Sequence, residues 1–171
     1  MIRSILHPGL ALALALSACA TVPSESGFGD VQDMAGARLG QRLHWRQGAD
    51  EDARIDEEVQ ELLAGPLTAD AAVQVALLEN RALQATYERL GVAQADLVQA
   101  GLLRNPVFVG RAGLPDSSPS GTSLGVGVVQ DFLDVLLLSA RKSIAEGQFE
   151  QTKLSVAAEV VDFAARVREA Y

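Results

Sequence analysis

The most constraining feature of this chain is a long stretch without proline, between Pro66 and Pro106. Thr68 stands where a helix N-cap belongs, and the apolar residues after it recur with helical spacing. The pattern predicts a long helix over residues 68–104, whose central part of about 35 residues would span roughly 52 Å. Because helices of globular domains are usually about a third of that length, we expect a rod-like architecture.

Two columns with a period of seven residues run along this predicted helix. The first column is apolar and is typical of a coiled-coil seam: Ala76, Leu83, Leu90 and Leu97. The second column is half polar and follows the first by four residues: Asn80, Tyr87, Gln94 and Gly101. A leucine-zipper dimer would need a more apolar second column, and a free surface would be less regular. The helix is therefore predicted to have neighbours on two sides.

A shorter helix precedes this element and a second long helix follows it. An acidic helix is expected over residues 50–64, because Gly65 and Pro66 would end it there. The second long helix is expected over residues 134–171, where apolar residues again recur every seven positions: Phe149, Val156, Phe163 and Ala170. This seven-residue repeat continues up to Tyr171, so we expect the helix to be truncated and the chain to be a fragment.

The periodicity changes completely between the two long helices. Residues 106–112 and 122–131 alternate in the manner of β-strands, and the residues between them are rich in glycine, proline and serine. Three apolar side chains of the second strand point one way: Leu124, Val126 and Val128. The other side carries small residues, as expected where one face of a strand meets lipid and the other a lumen.

Together these elements predict a mainly α fold with a β-hairpin, in which long coiled-coil-like helices flank two strands. A lone hairpin is marginally stable in water, and its open edges cannot stay unpaired in lipid. We therefore expect the hairpin to join further strands, which copies of the chain or additional sequence would provide.

The N-terminus carries the parts of an export signal. Arg3 precedes an apolar run over residues 5–16, which is too short to span a membrane. The run ends in a Leu-Ser-Ala-Cys tetrad that resembles the lipobox of bacterial lipoproteins. We predict a lipoprotein signal peptide at residues 1–18 and lipid attachment at Cys19, the sole cysteine. The alternative is an ordinary secretory signal with an incidental cysteine.

Residues 19–49 are predicted to form an extended linker from the lipid anchor, because glycine and proline interrupt every candidate helix. His44, Trp45 and Arg46 are its one conspicuous cluster. A metal site at His44 would need a second ligand group at a suitable spacing, and none is evident from the sequence. We expect instead that the Trp45 side chain docks the linker onto the chain's own helices.

The composition limits the classes of function. The chain carries 14 Lys and Arg against 22 Asp and Glu, a formal net charge of −8, which argues against nucleic-acid binding and against adhesion to anionic lipid through a basic patch. It has two histidines, one of them inside the predicted signal peptide. No Ser-His-Asp set or carboxylate pair suggests a catalytic site, so we predict no enzyme activity, no cofactor and no metal.

Several short motifs remain along the predicted helices and strands. They lie at residues 63–68 and 71–84, at the helix end and strand entry 91–106, and at 140–142, 157–160 and 167–171. The most specific is A-Q-A-D-L-x-Q-A-G-L-L-x-N-P at 93–106. These motifs resemble the TolC-type outer-membrane factors, a family of outer-membrane efflux proteins. The resemblance covers about residues 50–171, which correspond to the N-terminal part of the family fold only.

The resemblance implies a homotrimer, in which each subunit gives four strands to one transmembrane β-barrel and long helices form a periplasmic tunnel. It also implies a periplasmic adaptor protein and an inner-membrane pump as partners. This chain offers only two strands, and three copies would give six, fewer than the eight of the smallest usual bacterial barrels.

The expected function is therefore that of an outer-membrane channel subunit in a tripartite efflux system, which conducts substrates passively and is anchored in outer-membrane lipid. Ala20, which follows the predicted lipidated cysteine, is not the aspartate that retains enteric lipoproteins in the inner membrane. The alternative is a lipid-anchored periplasmic coiled-coil scaffold without a pore.

Overall fold

A computed structural model describes residues 20–113 and 123–171. This part of the chain is mostly helical and carries one two-stranded antiparallel hairpin. The elements follow one another as α1 (Phe28–Val31), a π-helical turn (Gln32–Gly36), α2 (Ala37–Leu39), α3 (Asp50–Ala64), α4 (Ala69–Glu79), α5 (Arg81–Ala100), β1 (Val107–Gly113), β2 (Ser123–Val129) and α6 (Phe132–Ala170).

Helix α6 is the rod against which α4, α5 and the helical segment at residues 28–39 pack, whereas α3 packs on α4. It has 39 residues, which corresponds to roughly 58 Å. Its first turn is capped by Asp131, whose side chain accepts a hydrogen bond from the Leu133 N–H at 3.0 Å. The helix therefore begins at Phe132, two residues before the predicted start at 134.

The prediction of one continuous helix over residues 68–104 was wrong. Asn80 has an extended backbone (φ −69°, ψ 114°) and separates α4 from α5. Its side-chain oxygen accepts a hydrogen bond from the Leu83 N–H at 3.0 Å, so Asn80 is the N-cap of α5. The break lets Leu78 of α4 pack in a small core with Ile55 and Val59 of α3. α3 itself has the predicted bounds.

The prediction of an extended linker over residues 19–49 was also wrong in part. Residues 28–39 form an irregular helical segment, and Val31 and Ala35 are fully buried against the main bundle. The segment enters this helix through Gly27, whose φ of +71° is readily adopted only by glycine. Below, the whole docked part, residues 23–47, is called the N-terminal strap.

The main core is formed by α4, α5, α6 and the N-terminal strap. Its buried residues are Val31, Ala35, Leu43, Trp45, Val73, Leu77, Leu83, Tyr87, Leu90, Val156, Ala157, Val160 and Ala164. The apolar column of α5 faces α6 through Leu83 and Leu90, and Tyr87 of the second column meets the Phe28 ring edge-on at 4.9 Å. The strap is thus the second neighbour that the two columns predicted.

The hairpin lies beyond the last turn of α5 and the first turn of α6. β1 and β2 pair in register from Val107 opposite Val129 to Gly113 opposite Ser123. Both strands are present where they were predicted, although they differ from the predicted ranges 106–112 and 122–131 by one or two residues at their ends. Position 122 and the predicted loop after Gly113 lie outside the described residues.

Candidate functional site

The hairpin has one wholly apolar face. Alternation along the strands places its members on one side of the sheet: Phe108, Gly110, Ala112, Leu124, Val126 and Val128. Leu124 is 80% exposed and Val126 is 88% exposed, and Phe108 lies opposite Val128. No helix of the described part covers these side chains, so a large apolar surface is open. This arrangement confirms the expected common direction of Leu124, Val126 and Val128.

The opposite face of the hairpin carries the charge, and on it small residues alternate with three exposed valines, Val107, Val109 and Val129. Arg111 lies opposite Gly125, and Val109 lies opposite Gly127. Arg111 is the only charged residue of the two described strands. Neither outer edge of the hairpin pairs with another strand in the part of the chain that the structure describes. The backbone groups at both edges are therefore free to pair with additional strands.

Exposed apolar side chains continue from the hairpin onto both of its roots, the segments just before β1 and just after β2. We call this set the apolar collar, and it consists of Leu102, Leu103, Phe132, Leu133, Leu136 and Leu137. Leu102 and Leu103 lie before β1, and the other four lie in the first turns of α6. The collar and the apolar face of the hairpin therefore occupy the same end of the molecule.

A buried carboxylate joins the two roots beneath the collar. Asp134 is only 7% exposed and accepts a hydrogen bond from the backbone N–H of Arg104 at 3.3 Å. It also pairs with the guanidinium groups of Arg104 and Arg141 at 3.5 Å and 3.1 Å. The sequence did not single out this site, because acidic residues on long helices are usually solvated. An acid within the apolar run of residues 132–138 was the available clue.

Two glutamine side chains hold the extended part of the N-terminal strap. The Gln74 amide bonds both the N–H and the C=O of Arg42, at 3.0 and 2.9 Å. The Gln84 amide bonds the His44 C=O and the Arg46 N–H, each at 2.9 Å. Each amide thus satisfies backbone groups as a neighbouring strand would.

The Trp45 side chain also anchors this extended part of the N-terminal strap. The indole is 8% exposed, and its Nε1–H donates to the Glu88 carboxylate at 3.0 Å. Its ring also packs against Phe28, with 5.8 Å between the ring centroids. The expectation that Trp45 docks this part of the chain onto its own helices is confirmed.

Ion pairs surround the docked strap. Burial lowers the pKa of Lys153, but hydrogen bonds to Asp30 and Glu150 raise it by more, so the ammonium group stays charged. Hydrogen bonding to Asp56 and Glu79 raises the pKa of Arg46 against the effect of its burial. These pairs tie the strap to helices α3, α4 and α6.

His44 has one acidic partner in the structure, which the sequence spacing did not reveal. Its Nε2 lies 2.6 Å from Oδ1 of Asp52, whose other oxygen accepts a hydrogen bond from the Gly48 N–H at 2.7 Å. Burial raises the pKa of Asp52, but these two hydrogen bonds lower it by more. Within residues 20–113 and 123–171, no three His, Cys, Asp or Glu side chains are grouped as metal ligands.

The predicted lipid-attachment residue Cys19 lies outside the described residues, so lipid attachment there stays a prediction. Among the described helices, none is both long and apolar enough to cross a membrane. Comparison with protein-family models, with curated proteins and with solved structures found no match to this chain.

Proposed function

We propose that this chain is a subunit of a TolC-type outer-membrane channel, which receives substrates from a periplasmic adaptor protein and an inner-membrane pump and conducts them passively to the exterior. In this proposal the chain is a lipoprotein attached at Cys19 to the outer membrane. Its hairpin contributes strands to a barrel that it shares with other copies, while its helices extend into the periplasm.

The observation that carries the proposal is the exposed hairpin. An exposed apolar surface is unfavourable in water, because removing it from water would gain about 25 cal/mol of free energy per Å². The same face is suited to lipid, where the outward side of barrel strands is apolar. The unpaired edges support the involvement of further strands, since backbone groups in lipid must be hydrogen-bonded.

The asymmetry of the two faces supports a channel rather than a solid plug. Arg111 and the small residues Gly125 and Gly127 share the face opposite the apolar one. A charged side chain is tolerated on a water-filled lumen but costs about 2–4 kcal/mol at the lipid-facing midplane. We therefore assign the Arg111 face to the lumen. Passive conduction through such a lumen requires no catalytic residue.

A matched pair of substitutions tests membrane insertion. The chain is exported from Ala20 behind a cleavable secretory signal, so that no acyl chain holds it in the membrane. Val128→Lys should move the protein from the outer-membrane fraction to the soluble periplasmic fraction, because each lysine costs about 2–4 kcal/mol in lipid. Val92→Lys is the control, because Val92 on helix α5 is exposed to the same extent as Val128, 63% against 62%.

The result also separates the channel from the scaffold. A chain that is wholly periplasmic without its acyl chains, whatever stands at position 128, would favour the lipid-anchored scaffold without a pore. Conduction itself is tested by deleting the gene and measuring sensitivity to antimicrobials and transition metals. Unchanged sensitivity to every substrate would contradict the efflux function.

A further inference from the structure

Two arginines share one buried carboxylate at the roots of the hairpin. Oδ1 of Asp134 lies 3.1 Å from the guanidinium of Arg141 and 3.5 Å from that of Arg104. The Arg141 guanidinium also donates to the backbone C=O of Asp134 at 3.3 Å. The contacts of Arg141 are therefore directed inwards, whereas the side chain of Arg104 is 72% exposed. Most of the Arg104 guanidinium thus remains open to a further acceptor.

The backbone of Arg104 is held from the other root of the hairpin. Its N–H donates to Oδ2 of Asp134 at 3.3 Å, and its C=O accepts from the side chain of Gln130 at 3.2 Å. Both partners follow β2 in the sequence, whereas Arg104 precedes β1. Folding of the hairpin therefore positions Arg104 before any ligand binds, which lowers the cost of binding.

Among the described residues, the group of Arg104, Arg141 and Asp134 carries one positive charge more than its carboxylate offsets. Lys142, the next cation on α6, has its own partner in Glu146 at 3.8 Å. Asp131, the acid that precedes Asp134 in the sequence, caps α6, where the helix dipole favours a negative charge. The group is thus a local positive site on a chain whose formal net charge is −8.

This positive site borders the apolar collar. Leu102 and Leu103 directly precede Arg104, and Leu137 lies one helical turn before Arg141 on α6. These three leucines are about half exposed. Arginine side chains beside a membrane-embedded apolar surface extend their charged ends to the headgroup layer. A lipid whose acyl chains cover the collar therefore brings its phosphate to the level of the two arginines.

We propose that Arg104, held by Asp134 beside Arg141, binds the phosphate of a membrane phospholipid whose acyl chains lie against the apolar collar. A phosphate supplies the anionic oxygens that a guanidinium group binds through paired N–H donors. This inference rests on the proposed function, because a phospholipid meets the collar only when the hairpin is inserted. The bound headgroup also fixes the depth of insertion, since it holds Arg104 at the surface of the membrane.

A lipid titration tests the site. The full-length chain is purified in a neutral detergent, freed of bound phospholipid and titrated with phosphatidylglycerol, and native mass spectrometry measures the fraction that carries one lipid. Diacylglycerol with the same acyl chains is the control ligand, because it has no phosphate. Arg104→Gln removes the exposed guanidinium. Arg168→Gln is the control variant, because Arg168 is also an exposed arginine that pairs with one carboxylate, Asp70, at 3.1 Å.

The unsubstituted chain should bind phosphatidylglycerol at least tenfold more tightly than diacylglycerol, because only the phosphate accepts charge-assisted hydrogen bonds. Arg104→Gln should weaken the binding of phosphatidylglycerol by about tenfold and leave that of diacylglycerol unchanged. Arg168→Gln should change neither affinity. The Arg104→Gln chain should still fold, because the bonds of its backbone to Asp134 and Gln130 do not use the guanidinium.

Two outcomes of the titration would overturn the inference. One is an equal affinity of the unsubstituted chain and Arg104→Gln for phosphatidylglycerol. The other is binding of inorganic phosphate as tightly as phosphatidylglycerol, which would identify the free anion as the ligand. Either outcome leaves the proposed function intact, because membrane insertion is measured separately by the fractionation of Val128→Lys. A chain that stays wholly periplasmic in that fractionation would overturn the proposed function and the lipid site together.

Discussion

Substitution of Gly27 by alanine should release the N-terminal strap from helix α6. Gly27 has a φ of +71°, and a Cβ placed on it would lie 2.8 Å from Cδ of Lys153 and 2.8 Å from Cζ of Phe149. Lys153 is flexible and can move aside, but the Phe149 ring is buried within the contact. Gly27→Ala therefore adds both backbone strain and a steric clash at the point where the strap first meets the bundle.

The expected magnitude follows from these two costs. A left-handed backbone costs a non-glycine residue about 1–2 kcal/mol. Insertion of a methyl group into a packed contact costs about 1–3 kcal/mol. Docking should therefore weaken by about 2–5 kcal/mol, which raises the population of the undocked strap by a factor of about 30 to 5,000.

Tryptic cleavage after Arg38, followed by mass spectrometry, measures this population when opening is fast compared with cleavage. Gly29→Ala is the matched control two residues away, because a Cβ on Gly29 meets no atom within 4 Å. Alanine is also the better helix former by about 1 kcal/mol, so the control should be cleaved at the same rate or more slowly. Equal cleavage rates for the two variants would refute the packing argument.

Two further predictions concern the helix break and the acidic contact of the strap. Asn80→Ala should lower the free energy of unfolding by about 1 kcal/mol in urea denaturation, because it removes the N-cap of α5, whereas Asn105→Ala, which caps no helix, should leave it unchanged. Because the folded state lowers the pKa of Asp52, its contribution to docking is present above the ordinary carboxyl pKa of about 3.9 and is lost as the pH falls through the lowered value. The fluorescence of Trp45, the sole tryptophan, should change as this contact is lost in acid. Asp52→Asn should reduce the size of that fluorescence change. An identical transition in both chains would contradict the assignment.

The hairpin could be predicted from the sequence because its determinants are local. Pro106 ends the helical pattern, and the alternation of Leu124, Val126 and Val128 specifies which side chains share a face. The strand ends were predicted only to within one or two residues, since pairing rather than residue type decides where a strand stops. The pairing itself was correctly expected to be antiparallel within one hairpin.

The break at Asn80 and the helical segment at 28–39 could not be predicted from local sequence. Asn80 falls in a regular seven-residue column and was interpreted as a polar position of a continuous helix, although asparagine is also a favoured N-cap. Residues 28–39 have no helical period, and their helix depends on burial of Val31 and Ala35 against distant parts of the chain. Tertiary contacts of this kind have no local signature.

The buried Asp134 site was missed for a related reason. Charged residues on long helices are usually solvated, so an acid near the start of α6 did not stand out. Asp134 is bonded to Arg104, which is 30 residues away in the sequence. Arg104 lies just before the first strand of the hairpin, and Asp134 lies just after the second. Only the folded hairpin brings these residues together.

The central claim is that the apolar face of the hairpin meets lipid while the opposite face meets water. Single cysteines placed along β2 test it most directly, with the unsubstituted chain as background, by their reaction with a water-soluble maleimide in isolated outer membranes. Cysteines at Leu124, Val126 and Val128 should react slowly, and a cysteine at Gly125 should react quickly through the lumen. Equal, fast reaction at all four positions would show that both faces of the hairpin are in water and would contradict the account.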